Sequence, residues 1–287
     1  MKKILITGAN SYIGTSFESY IKENFTDQYL VDTVDMLDGS WREKNFTGYD
    51  SVFHVAGIAH QKETKENAHF YYEVNRDLAI KTAQKAKKEG VKQFIFLSSM
   101  SVYGKNTGII TEETPIAPKS HYGKSKVEAE KGIKDLQGTE FQVAILRPPM
   151  IYGKGCRGNY QTLVKLALKL PIFPYVKNQR SMLYIENLCE FVRLLIDRGE
   201  SGLFCPQNGE YSNTSEMVKM IAEAHGKKIR LIKGFGWLIK FFGLFSKTLQ
   251  KAFGTCYYVL KKKDIVSVVA YKEGIYKSVL EGEICHM

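Results

Sequence analysis

The sequence predicts an α/β fold, a doubly wound parallel sheet with a smaller C-terminal lobe, and three observations carry that prediction. Short apolar runs alternate with helical patterns, as successive βαβ units require. The runs at 3–7, 28–34, 51–55, 93–98, 142–147 and 203–205 are nearly continuous in hydrophobicity, as strands covered on both faces must be. Helical patterns lie between them, near 13–24, 66–89, 122–136, 159–169 and 186–198. From about Pro148 the alternation decays into glycine-rich turns and aromatics. The expected boundaries are therefore 1–148 for the first domain, with 181–205 returning to it, and 149–180 plus 206–287 for the second.

The first strand, Ile4-Leu5-Ile6-Thr7, runs into Gly8-Ala9-Asn10-Ser11-Tyr12-Ile13-Gly14 and then a helix. A helix start leaves backbone N–H donors unpaired and its dipole favours an anion, so this turn is suited to a phosphate. Gly8 permits the sharp turn and Gly14 lets the helix approach the sheet. Ser11 stands where a GxxGxxG loop has its middle glycine, and its hydroxyl offers a donor to a phosphate. The loop from Gly8 through Asn10, Ser11, Tyr12 and Ile13 to Gly14 is thus the candidate pyrophosphate site of a dinucleotide. An acid at the end of the second strand would bind the adenosine ribose. Asp32 and Asp35 both qualify; Asp35 is preferred because it reads as the strand end. A carboxylate there repels a 2′-phosphate, so NAD is favoured over NADP.

The fourth strand pattern ends at Ser98-Ser99, at the carboxyl edge where a parallel sheet places its ligands. His121-Tyr122-Gly123-Lys124-Ser125-Lys126 then opens a predicted helix. An i,i+4 spacing sets the Tyr122 phenol and the Lys126 ammonium on one face. A free tyrosine titrates near ~10 and is a weak base at neutral pH. The neighbouring cation is expected to favour phenolate and lower that value. Ser99 would bind the same substrate oxygen as Tyr122.

Composition limits the alternatives. Hydrophobic content of 44% with 25% charged residues fits a globular chain. No apolar run approaches the roughly 18 residues of a membrane span. The N-terminal apolar stretch breaks at Thr7-Gly8, too short for a secretory core of about 7–15 residues, so a cytoplasmic protein is expected. The five cysteines show neither a CxxC pair nor metal-ligand spacing, which fits reduced thiols and no metal site. Most of the net charge of +11 lies in 226–287, where twelve Lys/Arg face four Asp/Glu. No nucleic-acid motif accompanies it. The apolar, lysine-dotted stretch 235–253 reads as a helix packed on its own lobe or on a dimer mate, with peripheral membrane contact the alternative.

Taken in order, Thr7-Gly8…Gly14, Phe96-Leu97-Ser98-Ser99-Met100-Ser101-Val102-Tyr103-Gly104, Tyr122…Lys126 and Arg147-Pro148-Pro149-Met150-Ile151-Tyr152-Gly153 resemble the extended short-chain dehydrogenase/reductases. The match is to the branch that modifies nucleotide sugars. The resemblance implies a Rossmann-type domain, NAD or NADP, a substrate lobe, and Ser99, Tyr122 and Lys126 as the catalytic set. It adds Ala56, Gly57, Ser98 and Pro148 to the cofactor contacts, together with Tyr122 and Lys126 themselves, and makes Asn75 a brace between central strands. Asn159 resembles an asparagine that contacts the sugar nucleotide, with a helix N-cap as the alternative. Arg180 resembles an arginine that forks onto the diphosphate, a task suited to its planar donors. Ser99 and Tyr122 would also touch the sugar. Dehydratases of this family carry an acidic pair after the catalytic Ser/Thr, where this chain has Met100 and Ser101, so dehydration is disfavoured. The string from Val91 to Lys105 and the Arg-Pro-Pro-Met-Ile-Tyr-Gly segment look most like capsule-pathway 4-reductases of UDP-4-keto-6-deoxy-hexosamines. The first expectation is such a reductase in surface polysaccharide synthesis, the second a UDP-sugar 4-epimerase, and the third a catalytically silent NAD(P)-binding protein. The resemblance also suggests a homodimer.

Overall fold

In the computed structural model, Ile4, Leu5 and Ile6 of β1 (Lys2–Thr7) are wholly buried, because helices cover the sheet on both faces. The structure describes residues 1–59, 61–156, 158–234, 246–259 and 274–284. With β1, the strands β2 (Tyr29–Val34), β3 (Ser51–His54), β4 (Gln93–Leu97), β6 (Gln142–Leu146) and β10 (Gly202–Phe204) form one parallel sheet in the order β10-β6-β4-β3-β1-β2. The chain leaves β1 toward β2 and returns to the other side at β3, so the order reverses between β1 and β3. At such a reversal the two crossover helices diverge and a crevice opens beyond the strands' carboxyl ends.

On one face, small residues of α3 (Leu78–Lys88) and α4 (His121–Lys134), namely Ala79, Ala83, Ala86 and Ala129, pack with Val52, Phe94, Phe96 and Val143. Trp41 and Phe46 extend this core over β2. The opposite face holds α1 (Tyr12–Asn24), whose Phe17 meets Phe53 edge-on at 5.3 Å. Beside it α6 (Ile185–Arg198) sets Phe191 against Phe204.

The predicted helix over 66–89 is broken in two. Between α2 (Ala68–Tyr72) and α3, residues Glu73–Asp77 form a π-helical turn. The widened turn delivers the fully buried Asn75 amide to Ile58, accepting from its N–H at 2.8 Å and donating to its carbonyl at 3.1 Å. The expected bracing asparagine is thus fixed to the end of the loop that follows β3.

The chain forms two compact units: 1–104, 116–148 and 188–206 in the first, and 105–115, 149–187 and 207–287 in the second. The segments 181–187 and 105–115, both expected in the first domain, belong to the second unit. Its strand β5 (Gly108–Ile110) pairs in parallel with β12 (Cys256–Tyr258), a partner distant in sequence. Two further parallel pairs, β7 (Met150–Tyr152) with β9 (Met182–Tyr184) and β8 (Ile172–Pro174) with β11 (Arg230–Ile232), complete the strands described in that unit. Its helices are α5 (Asn159–Lys169), α7 (Thr214–Ala224), α8 (Lys247–Phe253) and α9 (Gly274–Ile284). Of the stretch 235–253, residues 235–245 lie outside the described residues; the remainder is Ser246 and α8.

Candidate active site

The β1–α1 turn is shaped by close approach. Gly8 has φ +118°, and a Cβ there would stand 2.7 Å from the Ala56 nitrogen. A side chain would therefore push apart the ends of β1 and β3, where the crevice opens. Asn10 takes the left-handed conformation at φ +63°, which asparagine tolerates better than most residues. Ser11 is the N-cap of α1, its Oγ accepting from Gly14 N at 3.1 Å. The serine thus fills a capping role, and its own proton is still available for donation. Tyr12 and Ile13 form the first turn, where the backbone donors cluster. A narrow cradle that no Cβ could enter, beside a helix start, fits a dinucleotide pyrophosphate.

The two acids at β2 differ in position. Asp32 lies within the strand and accepts from Tyr49 OH at 2.5 Å. Asp35 follows the strand end and accepts from Leu37 N at 2.7 Å. Only Asp35 stands at the carboxyl edge, the position a ribose would use. At the end of β3, a Cβ on Gly57 would meet Asn75 Oδ1 at 2.9 Å and Lys126 Nζ at 3.4 Å, which fits Gly57 as a lining residue.

Tyr122 and Lys126 lie one turn apart at the start of α4, and that start is fully capped. Ser120 Oγ accepts from Gly123 N at 3.0 Å. The Glu63 carboxylate accepts from His121 N at 2.9 Å and from Tyr122 N at 3.0 Å. An anion on the first turn of a helix also meets the positive end of its dipole. Glu63 therefore anchors the backbone of Tyr122 from the loop after β3. His121 lies against Tyr72, its Nδ1 3.2 Å from the phenol oxygen.

The expected depression of the Tyr122 pKa is not found. Burial pushes the phenol above its ordinary value, the Tyr71 ring adds to the rise, and only the Ser99 hydroxyl lowers it. Lys126 instead donates from Nζ to the Leu97 carbonyl at 2.8 Å and lies 4.7 Å above the Phe96 ring. Burial pulls the lysine down to about 8, against Glu130, which acts to raise it. The i,i+4 spacing set the two residues on one face, but the ammonium turned down toward the sheet.

Behind this set lies a buried polar cluster that sequence reading missed. Arg147 at the end of β6 forks onto Glu130, with Nε to Oε1 at 3.0 Å and Nη2 to Oε2 at 2.5 Å, and donates from Nη1 to Tyr103 OH at 2.9 Å. Ser98 Oγ donates to the same carboxylate. Its hydroxyl is thus turned into the interior, at the end of β4. The signal was present, since Tyr122, Lys126 and Glu130 repeat every four residues. Pro148 fixes the edge from the other side, its carbonyl accepting from Met100 N at 2.9 Å. His54 is buried beneath, with Nδ1 2.7 Å from Thr7 Oγ1 and its ring stacked near Phe94 and Phe96. Its Nε2 has no hydrogen-bond partner among the described residues. Burial first, and then the Lys126 charge, pull its pKa down to about 3.

Asn159 and Arg180 belong to the second unit. Asn159 is the first residue of α5 and exposed; the cap is Gly158, so the N-cap alternative for Asn159 falls away. Arg180 is half-buried, exchanges backbone hydrogen bonds with Ser212, and donates from Nη1 to the Gly254 carbonyl at 2.8 Å. Burial lowers its pKa. A half-buried guanidinium held by a neutral carbonyl keeps donors for an anion. Among the described residues no group of His, Cys, Asp or Glu is arranged to hold a metal, and no helix is long and apolar enough to cross a membrane.

Fold and site together define an NAD(P)-dependent enzyme of the short-chain dehydrogenase/reductase type. The model of the NAD dependent epimerase/dehydratase family matches residues 4–204, and the chain belongs to that family, whose members act on nucleotide sugars. It is 32% identical over 273 residues to a UDP-glucose 4-epimerase of Vibrio cholerae, covering 86% of this chain and 83% of the relative. It is 28% identical over 244 residues to the N-acetyl-alpha-D-glucosaminyl-diphospho-ditrans,octacis-undecaprenol 4-epimerase of Escherichia coli O157:H7, covering 79% and 73%. Among solved structures, the UDP-glucuronic acid 4-epimerase of Bacillus cereus in complex with NAD superposes with a TM-score of 0.75 at 18% identity, covering 99% of this chain and 98% of that one. A dTDP-4-dehydrorhamnose reductase of Bacillus anthracis in complex with NADP gives 0.75 at 18%, over the whole of both chains. At these identities the structures bear on the fold alone.

Proposed function

We propose that the protein is an NAD-dependent C4 epimerase of a diphosphate-activated hexose, with Ser99, Tyr122 and Lys126 as its catalytic residues. The observation that carries this reading is a half-buried phenol, next to a serine hydroxyl and one helical turn from a buried ammonium, at the carboxyl edge of the sheet. NAD, when bound in the crevice lined by Gly8, Gly14, Asp35 and Gly57, supplies the acceptor and donor of hydride at C4. Tyr122 takes the proton of the 4-hydroxyl as the carbonyl forms and returns it when the opposite face is reduced. Ser99 donates a hydrogen bond to the same oxygen. Lys126, held on the Leu97 carbonyl and beside Gly57, is the residue proposed to hydrogen-bond the nicotinamide ribose. Asn159 and Arg180 are the proposed contacts for the sugar and the diphosphate.

The sequence resemblance to 4-keto reductases supports the second reading; the names of the two relatives shift the weight to epimerisation. Incubation with UDP-glucose or UDP-N-acetylglucosamine and catalytic NAD separates them. Formation of the C4 epimer without net cofactor consumption is the expected result. Stoichiometric NAD(P)H oxidation by a 4-keto sugar, with no epimer from either UDP-hexose, would establish the reductase. A polyprenyl-diphosphate-linked N-acetylglucosamine belongs in the same assay, given the second relative's name. A role in surface polysaccharide synthesis, a cytosolic location and a homodimer accompany the proposal; fractionation and light scattering test the last two.

A further inference from the structure

Ser101 has no part in the chemistry above, yet it touches the residue that does. Ser99 Oγ accepts from Ser101 N at 3.1 Å and from Ser101 Oγ at 3.0 Å. A serine hydroxyl has two lone pairs and one proton. With both lone pairs engaged by one neighbour, only its proton is left to offer. We propose that Ser101 is a positioning residue: by occupying both acceptor sites of Ser99, it obliges that hydroxyl to donate toward the oxygen that Tyr122 serves. This rests on the reading of Ser99 and Tyr122 as the reacting pair.

The local fold holds the arrangement in register. Ser99 is extended and caps a 3₁₀ turn, Met100–Tyr103, which ends at Gly104 with φ +60°. The turn packs on α4 next to Tyr122, since a Cβ on Gly123 would come within 2.9 Å of the Ser101 carbonyl oxygen. The other polar groups around Tyr122 are engaged with other partners. Tyr71 meets it edge-on and donates to Gln61 O. The Glu63 carboxylate holds the backbone N–H. His121 is paired with Tyr72, and Lys126 with Leu97. Ser99 is accordingly the group that opposes the upward pull of burial on Tyr122. A Ser99 hydroxyl released from Ser101 can turn away, and the phenol then titrates higher.

The test uses the full chain with NAD and the sugar nucleotide it turns over. Ser101→Ala should lower kcat about two- to tenfold, the range one neutral hydrogen bond is worth, with KM little changed. The pKa of the general base in the kcat/KM profile, which reports the free enzyme, should move to higher pH, and Ser101→Thr should restore both. In a Ser99→Ala background, Ser101→Ala should cost nothing more. An unchanged profile in Ser101→Ala, or an equal loss in the Ser99→Ala background, would overturn the proposal; the double-mutant comparison decides even if Ser101→Thr folds poorly. Phenolate absorbance titrated against a Tyr122→Phe blank gives a readout that needs no turnover. A wild-type protein inactive on every nucleotide sugar would sink the functional reading, while that titration still decides the role of Ser101.

Discussion

The two units treat their polar groups differently. In the first, each candidate catalytic residue is held by a named partner: Tyr122 through Glu63, Lys126 through Leu97, Ser99 through Ser101. Beneath them the Glu130–Arg147 pair satisfies both carboxylate oxygens in the interior. In the second, Asn159 is exposed and the Arg180 guanidinium is held by one carbonyl. On the proposed reading, the first set is pre-organised for proton transfer and the second keeps donors for a ligand. Proton transfer tolerates little misplacement, whereas recognition of a diphosphate needs donors that have not already been used.

The sharpest way to break that contrast is Tyr122→Phe. Turnover should fall by ~10²–10⁴, with NAD binding by calorimetry retained; retained activity would remove Tyr122 from the chemistry. Next comes Glu130→Ala, which leaves Arg147 buried without its carboxylate. Unfolding in urea should show a loss of about 3–5 kcal/mol; a loss below 1 kcal/mol would mean that water reaches the guanidinium. Arg180→Ala should act on binding alone, raising KM for the sugar nucleotide about ten- to a hundredfold, as for a charge-assisted hydrogen bond of ~1.5–3 kcal/mol. An equal fall in kcat would instead place Arg180 in the reacting centre.

His54 sharpens the comparison through pH. Its pKa in the fold is pulled to about 3, so it remains neutral there while the unfolded chain takes up a proton near ~6.5. Its contribution to stability is complete above that value and lost as the pH falls toward 3. Denaturant unfolding between pH 7 and 5 should have a slope steeper by up to ~1.4 kcal/mol per pH unit in wild type than in His54→Gln. Equal slopes would show that His54 is hydrated. The smallest effect is expected from Ser120→Ala. Losing one N-cap of α4 should cost ~1 kcal/mol, and kcat should stay within about twofold while Glu63 still holds the first turn.

Much of the first unit was legible because its signals are local. Strand runs, the glycine turn and the four-residue step from Tyr122 to Lys126 each depend on neighbours in the chain. That Asp35 follows the end of β2 was readable for the same reason, since a strand end is a local property. Glu63 gave no such signal, because it lies in an irregular loop and meets α4 only across 58 positions of sequence. Nor could spacing reveal where the Lys126 ammonium points, since that depends on Leu97 and Phe96 beneath it.

What the sequence determined by itself was the order of strands and helices, and the residue types available at each strand end. Periodicity and turn chemistry act over a few residues, and that range suffices for such choices. Tertiary structure alone decided the pairing of β5 with β12, the carboxylate that anchors Tyr122, and the direction of that phenol's titration. Each of these is set by burial and by partners far away in the chain, where desolvation and hydrogen bonding outweigh any local preference.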